Sequence, residues 1–261
     1  MNFRTMEGTT VIICRKLTKT FDVTTVVDNL DLQVKAGEIY GFLGPNGAGK
    51  TTTIRMLTGT LKPTSGEVEI LGMNFAANEL QIKSRIGVVP DEPRIYSYFT
   101  GMEFLEFIMD IFPAKKGEAM KRVGELCEAF GVDYLGKMIS EMSHGMKQKI
   151  MVISVLMRRP EVIFLDEPTV GLDARSAKIL KMLLEKYKNE GSTIFMTTHV
   201  LEIAEKMCDR IGIINKGRLI SQGTMEEIRK SMGAGERESL EDIFLQLTGE
   251  NEDIQDIVNA L

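Results

Sequence analysis

The run Gly44-Pro45-Asn46-Gly47-Ala48-Gly49-Lys50-Thr51 decides the fold of this 261-residue chain. It follows the apolar Ile39–Leu43 and precedes Thr52–Leu61, whose pattern predicts a helix. Strand, glycine-rich loop and helix in that order fit G-x-x-x-x-G-K-[ST], the phosphate-binding loop. A triphosphate crowds several negative charges into a small volume, so a protein that holds it needs many donors and little steric bulk. Glycines at 44, 47 and 49 let backbone N–H groups turn inward as an anion nest at a helix N-terminus, with Pro45, Asn46, Ala48 and Thr52 completing the cradle. Lys50 then supplies a point charge to the β and γ phosphates, and the Thr51 hydroxyl a magnesium ligand. The loop specifies a nucleotide; alone it does not separate kinases, GTPases, motors and transporters.

A second half of a hydrolytic site follows downstream. Val162-Ile163-Phe164-Leu165 reads as a buried strand, and Asp166-Glu167 stand at its C-terminal end, the edge where open α/β sheets bind ligands. A pair of carboxylates there is costly unless it faces a cation or water. Asp166 is the natural holder of magnesium, usually through water, and Glu167 the group that polarises an attacking water. Ser192–Thr198 predicts another apolar strand, and His199 just beyond it stands where a donor to a γ-phosphate is needed.

Composition limits the alternatives. Hydrophobic residues make up 43% of the chain, ample for a sizeable core. A formal net charge of −5 with interleaved signs argues against a nucleic-acid partner. Cys14, Cys127 and Cys208 lie far apart with no CxxC pairing, so they read as reduced thiols of a cytosolic protein rather than a metal site or disulfide framework. No apolar run approaches the roughly 18 residues needed to span a bilayer, Ile150–Met157 being the longest, and Met1–Thr10 lacks the apolar core of a signal peptide. The expectation is a chain that does not enter a membrane unaided.

Between these landmarks, Val11–Cys14 and Val26–Val34 alternate as half-buried strands, and Phe21 sits among polar residues, placed to stack on a purine ring. Ile86–Val89 reads as a buried strand ended by Pro90. From Asp91 to Leu156 the period becomes helical, with Phe104, Leu105, Ile108, Ile111 and Phe112 as a packing stripe. Ser143 has the character of an N-cap and Gly145 allows close backbone approach, so this segment offers a second helix N-terminus to phosphate. Gly171-Leu172-Asp173 predicts a turn before a helix over Ala174–Asn189, and Ile211–Asn215 with Arg218–Ser221 a hairpin. Leu240, Ile243, Phe244 and Leu247, then Ile254, Ile257, Val258 and Leu261, form amphipathic helices after a linker at Met232–Glu238, and are expected to dock on the core.

The order of phosphate loop, Ser-x-Gly-Met, Leu-Asp-Glu-Pro, Gly-Leu-Asp and Thr-His resembles the nucleotide-binding subunits of ATP-binding-cassette (ABC) transporters, over roughly Val11 to Thr224. The resemblance implies an α/β fold: a P-loop NTPase core with a mixed, mainly parallel sheet and flanking helices, an antiparallel β subdomain and an inserted helical subdomain. It implies one ATPase domain, with the core at 9–90 and 158–224, the helical insertion at 91–157 and a C-terminal helical extension at 225–261. By position, Gly44–Thr51 is similar to the Walker A loop, Val162–Asp166 to Walker B, Glu167 to the catalytic base, His199 to the switch histidine, Asp173 to the D-loop aspartate and Phe21 to the adenine-stacking aromatic. Met142-Ser143-His144-Gly145-Met146 stands where the family reads Leu-Ser-Gly-Gly-Gln, a variant that resembles subunits paired with ABC-2-type permeases. Asp91 occupies the Q-loop position; it can ligate magnesium through water but cannot donate an amide hydrogen bond.

Carried over, the resemblance implies ATP and Mg2+ as ligands and a dimer with itself or a homologous cassette, in which Ser143 and Gly145 of one chain cap the ATP held by the other. It also implies a separate integral-membrane permease of the ABC-2 type, and a cytoplasmic chain held peripherally on the inner face of the cell membrane through it, with export as the direction. The alternatives are a soluble ABC ATPase of DNA maintenance or translation, which calls for a long insertion or two cassettes per chain, and a GTPase, for which Asn215-Lys216-Gly217-Arg218 lacks the guanine-selecting aspartate. A non-hydrolysing module is opposed by Glu167 and His199.

Overall fold

A computed structural model describes residues 8–112, 116–233 and 238–249. The chain opens with a long hairpin, β1 (Thr10–Phe21) and β2 (Thr24–Lys35), then enters β3 (Ile39–Leu43), the phosphate loop and α1 (Lys50–Leu57). β4 (Ser65–Ile70) and β5 (Met73–Asn74) return to the hairpin, giving an antiparallel sheet in the order β2-β1-β4-β5. In β2, Leu30, Leu32 and Val34 are buried while Asn29, Asp31 and Gln33 face solvent, the period of two expected of a one-sided strand.

After α2 (Glu79–Arg85) and β6 (Ile86–Val89), the helical stretch comprises α3 (Gly101–Ile111), α4 (Lys116–Phe130) and α5 (His144–Leu156). Then follow β7 (Val162–Asp166), α6 (Ala174–Asn189), β8 (Thr193–Thr197), α7 (Leu201–Met207), β9 (Arg210–Asn215), β10 (Arg218–Gly223), α8 (Met225–Met232) and α9 (Leu240–Thr248). The second sheet runs β10-β9-β3-β8-β7-β6, parallel throughout except for the β9–β10 hairpin. Every residue of β3, β7 and β8 is buried, as parallel strands covered on both faces require.

One face of that sheet presents Tyr40, Phe42, Phe164 and Phe195 to α1 and the antiparallel sheet, with Tyr40 and Phe195 stacked at 5.7 Å. The opposite face presents Ile39, Ile163, Leu165, Ile194 and Met196 to helices α3 to α6. That second core runs without a seam from Met109 and Phe130 through Ile150 to Ile163. The residues of α5 therefore belong to the floor of the parallel sheet as much as to the helical stretch, and residue 157 marks no break in packing. Ile111 departs from its predicted place in the packing stripe: it lies at the end of α3, half exposed, and Phe104, Leu105 and Met109 carry that face. Leu240, Ile243 and Phe244 of α9 dock beside Leu43, Ile211 and Ile213 in a third cluster. The repeat at Ile254 to Leu261 lies outside the described residues. Among the described residues no helix is long and apolar enough to cross a membrane.

Strand order brings distant segments of the chain to one edge. β3, β8 and β7 are neighbours although β7 precedes β8 in sequence, so the phosphate loop, the loop after β8 and the acidic end of β7 emerge side by side at the carboxyl edge.

Candidate nucleotide site

Gly49 is the residue before α1 and has φ 109°, a left-handed conformation that glycine alone takes without strain; a Cβ there would also meet the Val26 carbonyl oxygen at 2.9 Å. The first turn of α1 carries no acidic side chain, so no carboxylate of the helix itself occupies the positive end of its dipole. The Lys50 ammonium folds back onto the loop, donating to the carbonyls of Gly44 at 2.7 Å and Pro45 at 3.2 Å. Burial lowers its pKa, and the nearby Glu167 and Asp166 carboxylates oppose that shift.

A cleft of about 270 Å³ opens over this helix end, lined by Val26, Asn46, Gly47, Gly49, Lys50, Thr51, Thr52, Asp91 and Glu167. Asp91 and Glu167 therefore face the loop across one space. Val26 brings the antiparallel sheet into the wall, a placement that local sequence does not signal. Pro45 and Asn46 also border a second cleft of about 390 Å³ with Gly44, Thr198, His199, Leu201 and Phe244. Ala48 is buried beneath the loop.

Asp166 is almost fully buried, and its pKa is raised, first by desolvation; hydroxyl hydrogen bonds from Thr197 and Thr51 oppose the shift, while Asp91 and Glu167 add to it. The Thr197 contact, Oγ1 to Asp166 Oδ1, measures 2.5 Å. Glu167 takes a left-handed backbone conformation, φ 49°. Its N–H donates to Thr197 Oγ1 at 3.2 Å and to the Thr197 carbonyl at 3.3 Å. Its Oε2 receives the His199 backbone N–H at 3.3 Å and lies 2.9 Å from His199 Nδ1. An ionised carboxylate only accepts, so Nδ1 carries the proton in that contact and Nε2 points away from Glu167.

Four of the predicted residues, Phe21, Ser143, Gly145 and Asp173, stand apart from this cleft. Phe21 is the last residue of β1, 45% exposed, with the Lys19 ammonium 4.9 Å from its ring centre. Ser143 caps α5 by accepting the Met146 N–H at 3.3 Å and is otherwise exposed. Asp173 caps α6 through Ser176 N–H at 2.9 Å and pairs with Lys149 at 2.9 Å, contacts that hold its carboxyl well below the usual carboxylate range. The α5 and α6 caps are locked together: a Cβ on Gly145 would meet the Gly171 carbonyl oxygen at 2.5 Å. Gly145→Ala is therefore expected to lower stability by about 1–3 kcal/mol, because a backbone oxygen cannot swing aside. Thermal unfolding checks this, and an unchanged midpoint would contradict the contact.

The family described as "ABC transporter" matches residues 27–170. A second profile, described as an AAA domain, putative AbiEii toxin, type IV TA system, matches the shorter stretch 138–205. Over 223 residues the chain is 40% identical to the bacitracin transport ATP-binding protein BcrA of Bacillus licheniformis, covering 85% of this chain and 72% of that protein. It is 36% identical to the linearmycin resistance ATP-binding protein LnrL of Bacillus subtilis over 231 residues, 88% of this chain and 72% of the relative. A solved ATP-binding subunit of an ABC transporter superposes with a TM-score of 0.87 at 28% identity, covering 91% of this chain and 99% of that one. A phosphate loop facing a carboxylate-tipped strand, in a chain so related over most of its length, is an ATPase, and the chain belongs to the ABC transporter family as one of its ATP-binding cassettes.

Proposed function

We propose that this cassette hydrolyses ATP in a site completed by a second cassette, and that the closing and opening of the pair drives a separate ABC-2-type permease that exports a small molecule. The observation that carries the reading is the cleft in which Lys50 and Thr51, at a helix N-terminus, face Asp91 and Glu167. Lys50 and the loop N–H groups bind the phosphates, and Phe21, exposed at a strand end, stacks on the adenine. Glu167 takes the proton of the attacking water. His199 orients the Glu167 carboxylate through Nδ1 and its backbone N–H. For its Nε2 to donate to the γ-phosphate, the ring must either carry both protons or turn away from Glu167.

The residues present fit magnesium. Thr51, Asp166 and Asp91 are hard oxygen donors, and Thr51 and Asp91 both lie near enough to Asp166 to act on its carboxyl. Among the described residues no three His, Cys, Asp or Glu side chains are placed to hold a metal by themselves. Such a donor set suits an ion that takes one or two carboxylates and completes its shell with phosphate oxygens and water. Magnesium bound there would neutralise charge on the phosphates.

Ser143 and Gly145 do not line their own chain's cleft, and the exposed Ser143 marks a helix N-terminus available to the ATP of a partner cassette. Asp173, beside that terminus, belongs to the same dimer face. For the permease, support comes from an apolar groove of about 370 Å³ between the sheet and the helical stretch, with Phe104, Ile108 and Phe112 on its floor and Arg94 and Arg158 among its lining. The exposed Tyr96 contacts the partly buried Phe99 and Phe107. Bound there, the cassette sits peripherally on the inner face of the membrane. The printed functions of BcrA and LnrL, bacitracin transport and linearmycin resistance, favour export of an antibiotic-like cargo. Affinity purification of the chain from detergent-solubilised membranes is expected to recover a polytopic partner that raises its ATPase rate. Recovery of the chain without one, with an ATPase stimulated instead by DNA or ribosomes, would overturn the transport reading.

A further inference from the structure

We propose that Thr197 is a positioning residue for hydrolysis: its hydroxyl sets the backbone of Glu167 and the carboxylate of Asp166 in one relay. This rests on the roles proposed for Glu167 and Asp166 in hydrolysis. Thr197 is fully buried at the end of β8, directly opposite Asp166 in the parallel register. Its single hydroxyl makes two contacts of opposite polarity. The Glu167 N–H can only donate and the ionised Asp166 carboxylate can only accept, so the direction of the chain is fixed: Glu167 N–H to Thr197 Oγ1 at 3.2 Å, and Thr197 O–H to Asp166 Oδ1 at 2.5 Å. No other orientation of the hydroxyl satisfies both partners.

The geometry that this relay supports is a strained one. Glu167 adopts φ 49°, a region that a residue with a Cβ occupies only when its surroundings impose it. The imposed contacts come from one short stretch of chain. Thr197 holds the Glu167 N–H through both its hydroxyl and its carbonyl, and two residues later His199 holds the carboxylate through its N–H and Nδ1. The β8 end thus grips Glu167 at both ends while fixing Asp166 next to it. Without the Thr197 hydroxyl, the Glu167 N–H keeps only the 3.3 Å carbonyl contact, and Asp166 loses a donor inside a buried setting. The P-loop contacts of Lys50 do not involve Thr197, so ground-state nucleotide binding is left in place.

Thr197→Val keeps the side-chain shape and removes the hydroxyl, whereas Thr197→Ser keeps the hydroxyl and removes the methyl. For Thr197→Val the expected result is a turnover rate about 10- to 100-fold lower, the range for loss of a supporting contact, with KM for ATP little changed and ATP binding in EDTA at the wild-type level. Thr197→Ser should turn over within about threefold of wild type despite the lower thermal midpoint that follows loss of a buried methyl. A purely packing role predicts the reverse order, with the serine variant the poorer enzyme, and that order overturns the proposal. Should the valine variant fail to fold, Thr197→Ala set against Thr197→Ser isolates the same hydroxyl, and equal rates for those two overturn it as well. Glu167→Gln is assayed alongside: wild-type turnover there sinks the underlying assignment of Glu167, whereas an inactive Glu167→Gln with a fully active Thr197→Val sinks the role of Thr197 alone.

Discussion

Lys50→Ala is expected to weaken ATP binding by about 3 kcal/mol, some 100-fold in Kd, because two contacts of an ammonium with phosphate oxygens are lost and a charged hydrogen bond contributes about 1.5–3 kcal/mol. The side chain is already aimed before ligand arrives. Its ammonium rests on the Gly44 and Pro45 carbonyls, at the rim of the space where the phosphates lie, and exchanges those partners for stronger ones. Burial depresses its pKa while Glu167 and Asp166 support the charged form, so the cation sits between a desolvation cost and the attraction of two nearby carboxylates. A triphosphate adds negative charge on the same side of that balance. Equilibrium binding of a fluorescent ATP analogue reads the effect directly; affinity equal to wild type would remove Lys50 from the phosphate site.

Glu167→Gln is expected to act on the other half of the cleft and in the opposite manner. The amide preserves volume but cannot take a proton, and general-base assistance is worth about 10²- to 10⁴-fold in rate. ATP binding stays close to wild type, since the residues of the loop are untouched, and nucleotide that binds but does not turn over holds the pair of cassettes closed. The substitution also changes the Glu167–His199 contact, because a carboxamide oxygen accepts less strongly than a carboxylate from Nδ1 at 2.9 Å. The two variants therefore separate binding from chemistry: Lys50→Ala loses affinity and with it turnover at low ATP, whereas Glu167→Gln loses turnover at every ATP concentration.

Much of the site is legible in the sequence because its parts are local. Gly44–Thr51 is a continuous run with a strand before it and a helix after it; the strand forms as read, whereas the helix begins inside the loop at Lys50 and ends at Leu57, short of the expected Leu61. The acidic end of β7 is marked by four apolar residues followed by two carboxylates, and the caps at Ser143 and Asp173 each precede a helix by one residue. What sequence does not reveal is register. Thr197 meets Asp166 across 31 residues of chain only because β8 inserts between β3 and β7, and nothing near Thr197 distinguishes it from Thr198. Val26 reaches the cleft through the packing of one sheet on another, and Lys149 reaches Asp173 through the docking of α5 against α6. Periodicity misplaces Ile111 for a related reason: it matches the stripe of α3, but the helix ends there and the core has already been filled by Phe104, Leu105 and Met109. The first half of the amphipathic C-terminal pattern is realised in α9, whose Phe244 also borders the cleft beside His199, a neighbour that no local pattern announces.

Whether Glu167, facing the phosphate loop, is the base of the ATP-hydrolysing site is decided by a single-turnover measurement on Glu167→Gln, with radiolabelled ATP and magnesium in the presence of excess protein. The expected result is ATP bound with near wild-type affinity and left uncleaved for at least about 100 times the wild-type turnover time. Release of phosphate at the wild-type rate would contradict the assignment.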